Sequence, residues 1–317
     1  LQHIGLREKG CRKVEEPQTP ISLHDARIEV RKAVGGILVV QLAVNDLSIL
    51  RAECGVGKTQ ALLELLHQLD NICVAFPTHK LAQEAYERFR KMGGADSYFL
   101  WPDRPRLPHD LQLELNMSDK LGIASSTDVY ARALKHEDVI ENEKWKSDIE
   151  RYLKAYEDIH KQSRIFCTHE KAVRLIQRKS GLTKTFVFDE DPMKSLFNID
   201  QIKIADVEAI IKRLNSSDTN FAPVVKALEQ VVESELETLI IPEDLSYSCT
   251  DLNRIVKDAE VTTPAHHLLD CTGYIKPSFG SKGNPSEVYC ITQRPLPENY
   301  KYLIMSATPI LPLYEKA

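Results

Sequence analysis

The chain has 317 residues, 43% of them hydrophobic and 27% charged, with a formal net charge of −5. That apolar content is enough for a sizeable core and excludes disorder as the overall state, while the negative balance excludes a polybasic binder, so any contact with nucleic acid must be a local site. No apolar run reaches about 18 residues, so no membrane span is expected.

The chain opens on Leu1 rather than Met and shows no signal-peptide pattern, so it reads as a piece of something longer. Residues 1–20 are polar, carry Pro17 and Pro20, and read as a linker. Residues 22–34 read as a helix with Ser22 as N-cap. A strand pattern over 46–53 runs into a glycine-bearing turn. It is followed by an amphipathic helix over 59–69, a buried strand over 71–77, and a helix over 79–92 stopped by Gly93 and Gly94. Strand, turn, helix, strand, helix implies a parallel α/β sheet. Residues 102–163 break the pattern with clustered prolines and a highly charged stretch that reads as a solvated helical region. The pattern resumes with a strand at 163–169, a helix at 170–179 and a strand at 184–191. Residues 192–299 are a second excursion. They read as mainly helical (around 206–214, 221–236 and 251–259), with turn signals at 278–286 beside one short strand, Glu287–Thr292. The sheet pattern returns at 300–309.

The strongest chemical signal is Ala52-Glu53-Cys54-Gly55-Val56-Gly57-Lys58-Thr59, between a strand and a helix. Glycines let backbone N–H groups converge on phosphate oxygens, and the helix N-terminus adds a favourable dipole. Lys58 then reaches the β/γ-phosphates and the Thr59 hydroxyl ligates Mg²⁺. Asp189 and Glu190 close an apolar strand, where the first carboxylate holds Mg²⁺ and the second orients the attacking water. Ser306-Ala307-Thr308 follows the last strand, and its hydroxyls suit a relay between the nucleotide site and a moving partner domain. Pro77-Thr78-His79-Lys80-Leu81-Ala82 and Cys167-Thr168-His169-Glu170 also follow strands, where amides and hydroxyls can grip phosphates without reading bases.

The ordered set AxxGxGKT, PTHKLA, CTH, FDE and SAT resembles the first RecA-like domain of a superfamily 2 helicase, over roughly 46–100, 163–191 and 300–311. Asp189 and Ser306 are 117 residues apart, and the two excursions fall where XPD/DinG-like helicases carry their iron–sulfur and arch insertions. The resemblance implies an α/β fold: a RecA-like P-loop NTPase domain with a parallel sheet plus mainly helical insertions. The segments would be a linker and helix (1–45), the motor core (46–191, with a helical insertion at about 102–163), an arch-like insertion (192–299) and the return to the core (300–317). It implies ATP and Mg²⁺ on Ala52, Gly55, Val56, Gly57, Lys58 and Thr59, with catalysis by Lys58, Asp189 and Glu190 and the metal on Thr59 and Asp189. Single-stranded nucleic acid, DNA rather than RNA, would lie on Thr78, His79, Lys80, Thr168 and His169. Ser306 and Thr308 would couple the site to a second RecA-like domain.

Three departures qualify this. Residues 102–163 contain no cysteine, so no iron–sulfur cluster is expected. Asp191 and Pro192 follow the acidic pair where the family has Ala and His, which weakens the expectation of unwinding. No arginine-bearing motif of a second motor domain is present, so these residues alone should be a poor ATPase.

Seven cysteines, none closer than 19 residues to the next, read as reduced thiols of a cytoplasmic protein; a bacterial, archaeal or phage-type source is the accompanying expectation. Cys249, His266, His267, Cys271 and Cys290 match no compact zinc spacing. The expected function is an ATP-dependent DNA helicase or translocase. The rivals are an ATP-binding switch or scaffold, favoured by Pro192, and the motor subunit of a restriction or defence complex. Residues 192–300 hold 10 Lys/Arg and 16 Asp/Glu, so the acidity of the chain sits in the second insertion, which reads as protein-facing.

Overall fold

The computed structural model describes residues 2–6, 22–41, 47–94, 97–121, 126–178, 182–217, 221–233, 249–276 and 286–309. The expected linker prolines, Cys11 and nearly all of the turn-rich stretch 278–286 lie outside these residues.

In chain order the elements are β1 (Gln2–Leu6), α1 (Leu23–Gly35), β2 (Leu47–Arg51), α2 (Lys58–Leu65), β3 (Ile72–Phe76), α3 (His79–Lys91) and β4 (Phe99–Leu100). Four helices follow, α4 (His109–Leu121), α5 (Ser126–Ala133), α6 (Glu137–Glu141) and α7 (Glu143–Asp158), then β5 (Arg164–Thr168), α8 (His169–Gln177), β6 (Thr185–Asp189) and α9 (Met193–Leu196). The remainder comprises β7 (Phe197–Lys203), α10 (Ile204–Asn215), α11 (Ala222–Glu233), α12 (Cys249–Asp258), β8 (Gly273–Ile275), β9 (Glu287–Gln293) and β10 (Lys301–Ser306). The chain divides into two compact units, one of residues 1–104, 154–196 and 294–317, the other of 105–153 and 197–293.

The first unit is α/β. Its seven-stranded sheet has the order β1-β2-β10-β6-β3-β5-β4, in which six strands are parallel and β1 is an antiparallel edge on β2. The parallel strands are apolar without alternation, as strands covered on both faces must be; all five residues of β3 are buried. Val30 and Val34 of α1, Leu62 and Leu63 of α2, and Ala82, Ala85 and Phe89 of α3 pack on the face presented by Ile72, Val74, Phe76, Val187 and Leu303. Phe166 stands at the centre of an aromatic cluster with Phe76, Tyr86, Phe89 and Tyr98, at ring separations of 5.5 to 6.1 Å. Truncating it to Ala would cost about 3–5 kcal/mol. Tyr98 and Trp101 are buried as well. No strand was expected before residue 46, yet Gln2–Leu6 covers the sheet edge at β2.

Helix ends follow the local sequence. Ser22 Oγ accepts from Asp25 N at 3.1 Å to cap α1. Beyond α3, Gly93 takes a φ of 82°, the left-handed conformation that ends a helix without a Cβ penalty. Because the six parallel strands share one direction, Ala52, Ser306, Asp189, Pro77, Thr168 and Trp101 all emerge at one edge of the sheet. The motifs therefore converge through topology, at the carboxyl edge where open α/β sheets bind ligands.

The second unit contains a three-stranded antiparallel sheet of order β7-β9-β8. Its core joins Ile202, Val207, Ile210, Leu228, Val256, Leu268, Val288 and Cys290. Of the three strands only β9 was expected. β7 has a weak apolar alternation, with only Ile202 buried, and β8 is three residues long, so neither carries a clear periodic signal.

Candidate active site

β2 delivers the chain to a loop whose first amide, Ala52 N, donates to Ser306 O at 3.2 Å. Gly55 and Gly57 adopt φ of 80° and 87°, a region L side chains rarely occupy. Gly57 is the N-cap of α2 and supplies no side-chain cap, so the first-turn amides of α2 face the loop without an intervening side chain. Lys58 is buried, and its Nζ donates to the carbonyls of Ala52 at 2.9 Å and Glu53 at 3.1 Å. The loop itself thus holds the ammonium in place beneath the helix N-terminus.

The Thr59 hydroxyl donates to Asp189 Oδ2 at 2.8 Å, joining positions 130 residues apart in the chain. Burial pushes the Asp189 carboxyl above its ordinary range; the Thr59 hydroxyl, Lys58 and Arg88 oppose this, and Glu190 adds to it. A half-buried carboxylate beside a hydroxyl is an all-oxygen donor pair that suits a hard cation retaining several waters, which is the coordination Mg²⁺ prefers. Glu190 is exposed and takes a φ of 77°, left-handed for a residue with a side chain, and its N–H donates to Met305 O at 3.0 Å. Ser306 is buried, and its Oγ accepts from Thr308 N at 3.2 Å, so the last strand touches both the phosphate-loop strand and the acidic pair.

Thr78 and Thr168 cap the helices that follow them. Thr78 Oγ1 accepts from Leu81 N at 3.3 Å and Thr168 Oγ1 from Lys171 N at 3.4 Å. Thr78 and Lys80 are exposed at the N-terminus of α3, and His79 is half-buried there, its imidazole pushed below its ordinary pKa chiefly by burial. The His169 ring is buried, Nε2 lies 2.9 Å from Asp189 O, and burial lowers its pKa to about 4. A carbonyl only accepts, so Nε2 carries the proton, and the side chain lies against the end of the acidic strand.

The structure also gives Asp191 and Pro192 a role that sequence reasoning missed. Asp191 Oδ1 accepts from Met193 N at 3.0 Å, and Pro192 O accepts from Ser195 N at 2.8 Å, so the pair caps and opens α9. Asp-Pro before Met-Lys-Ser-Leu is a helix-start signal that could have been read. A second missed feature is an open cavity of about 490 Å³ beside Gly57, lined by Arg27 and Arg31 of α1, Gln60 and Glu64 of α2, and Arg88 of α3. Arg88 donates to Gln60 Oε1 at 2.7 Å, and Arg31 pairs with Glu64 at 3.1 Å. Among the described residues no three His, Cys, Asp or Glu side chains gather in a metal-binding group, and no helix is long and apolar enough to cross a membrane.

No family model matches this chain and no curated protein is similar to it in sequence. Among solved structures it is similar to S. tokodaii Xpd4, with a TM-score of 0.42 and 12% identity over 90% of this chain and 57% of that one. It is also similar to a truncated XPD, with a TM-score of 0.40 and 13% identity over 89% of this chain and 92% of that one. The chain therefore spans little more than half the length of the Xpd4 chain it matches.

Proposed function

We propose that the chain is the first motor domain of an ATP-dependent nucleic-acid translocase or helicase. The observation that carries this reading is the 2.8 Å hydrogen bond between Thr59 and Asp189, which sets the glycine loop against the acidic pair at one sheet edge. The amides of residues 55–59 would bind the ATP phosphates, with Lys58 exchanging its loop carbonyls for phosphate oxygens. The nucleoside would extend into the cavity beside Gly57. Thr59 and Asp189 would hold Mg²⁺, which when bound neutralises charge on the phosphates. Glu190 would orient the attacking water.

The N-termini of α3 and α8, with Thr78, Lys80 and Thr168, would grip the backbone of a single strand, DNA by preference. Ser306 and Thr308 would pass the state of the site to a second RecA-like domain that supplies the arginine finger, so hydrolysis by these residues alone would be slow. Residues 46–191 and 300–317 would form the motor core, and the acidic insertion 192–299 would face a protein partner.

Binding of a fluorescent ATP analogue with and without Mg²⁺ tests the site. Wild type should gain affinity with Mg²⁺, and Asp189→Asn should lose that gain; equal affinity under all four conditions contradicts the reading. Pro192, committed to α9, favours a second reading as a nucleotide switch. ATP binding without strand displacement by the protein would select it.

A further inference from the structure

The peptide unit between Asp189 and Glu190 is held at both of its polar atoms. Its carbonyl oxygen lies 2.9 Å from His169 Nε2, and its N–H donates to Met305 O at 3.0 Å. The two partners come from different motifs. His169 opens α8 immediately after the Thr168 cap, and Met305 precedes Ser306 at the end of β10. The clamped peptide leads directly into Glu190, whose φ of 77° costs a non-glycine residue about 1 kcal/mol and persists only where its surroundings over-determine it. His169 is 5% exposed and packs edge-on against Phe188 at 5.5 Å, so its ring has a fixed place. Facing a carbonyl oxygen, which only accepts, its Nε2 acts as the donor.

We propose that His169 is a positioning residue: its Nε2–H and the Met305 carbonyl clamp the Asp189–Glu190 peptide in the conformation that aims the Glu190 carboxylate. The clamp links the segment that begins at Thr168 to the hydrolytic carboxylate and to the strand that ends in Ser306. A shift of α8 on binding a strand at its N-terminus would then be felt at Glu190 through one hydrogen bond. The proposal rests on the reading of Asp189 and Glu190 as the acidic pair of an ATPase.

Two variants separate the donor from mere packing. His169→Leu fills the space without a donor. His169→Gln places an amide N–H about where Nε2 lies. Amide hydrogen exchange reads the clamp whether or not the protein turns over ATP. In His169→Leu the Glu190 amide should exchange at least tenfold faster while Phe186 to Phe188 stay protected, and His169→Gln should restore it. Turnover reads the use of the clamp. His169→Leu should lower kcat about tenfold with ATP affinity within twofold of wild type, and His169→Gln should recover most of it. Unchanged exchange at Glu190 in His169→Leu overturns the clamp. Faster exchange with unchanged kcat overturns the positioning role, as does equal loss of kcat, ATP affinity and thermal stability in both variants. If exchange responds as expected but wild-type turnover does not depend on Lys58, the ATPase reading fails and the positioning role falls with it, leaving the clamp.

Discussion

The Thr59 hydroxyl and the Asp189 carboxylate meet at 2.8 Å, although β10 is inserted between β2, which leads to the loop before Thr59, and β6, which ends at Asp189. The contact exists because β2, β10 and β6 run parallel and end level, so whatever follows each strand arrives at the same place. Desolvation makes Asp189 an uncomfortable carboxylate without a cation. Asp189→Asn should therefore remove ATP turnover by roughly a hundredfold or more, while raising thermal stability or leaving it unchanged. A thermal melt beside an ATPase assay checks both, and a clear loss of stability would show that the carboxylate is structural.

Backbone strain at Glu190 predicts an unusual order of stability. Glycine adopts positive φ freely and alanine does not, so Glu190→Gly should be more stable than Glu190→Ala by about 1 kcal/mol, the reverse of the order at an ordinary site. Urea denaturation of the two variants gives the difference directly.

Acid should weaken both units through one buried histidine each. Burial lowers His169 to about 4 and His266 to about 4, against an unfolded value of 6.5. Below pH 6.5 the unfolded chain takes up these protons and the folded chain does not. Stability attributable to each site should fall as pH drops from 6.5 towards 4, by up to about 3 kcal/mol, and level off below that. His169→Gln and His266→Gln should each flatten the urea-unfolding profile across that window; an unaltered slope contradicts the assignment.

Cys54 is exposed in the phosphate loop, whereas Cys73, Cys167, Cys271 and Cys290 are buried. With Cys11 and Cys249 replaced by Ser, a bulky maleimide should label Cys54 selectively and weaken nucleotide binding at least tenfold. Prior addition of Mg·ATP should slow the labelling. Equal affinity before and after modification would place the nucleotide elsewhere.

The sequence revealed the parts of this protein whose physics is local. Continuous apolar strands, the Ser22 cap and the glycine loop each declare themselves within a few residues, and the ordered motifs then imply a shared sheet edge. Strands β7 and β8 did not, because a weakly alternating strand and a three-residue strand are defined by their partner β9. The place of His169 against Asp189 is not legible for a related reason. Whether a histidine after a strand faces solvent or the neighbouring strand end depends on what stands beside it, here Asp189. Pro192 was read only as a lost contact, although Asp191 before it marks a helix start.

ATP hydrolysis by the motor complete with its second RecA-like domain, wild type and Lys58→Ala, each with and without single-stranded DNA, is the most direct measurement. Lys58 is buried under the loop, its Nζ on the carbonyls of Ala52 and Glu53. If the chain is a motor domain, turnover rises severalfold with DNA and falls by roughly a hundredfold in Lys58→Ala. Hydrolysis indifferent to both DNA and Lys58 would contradict that reading.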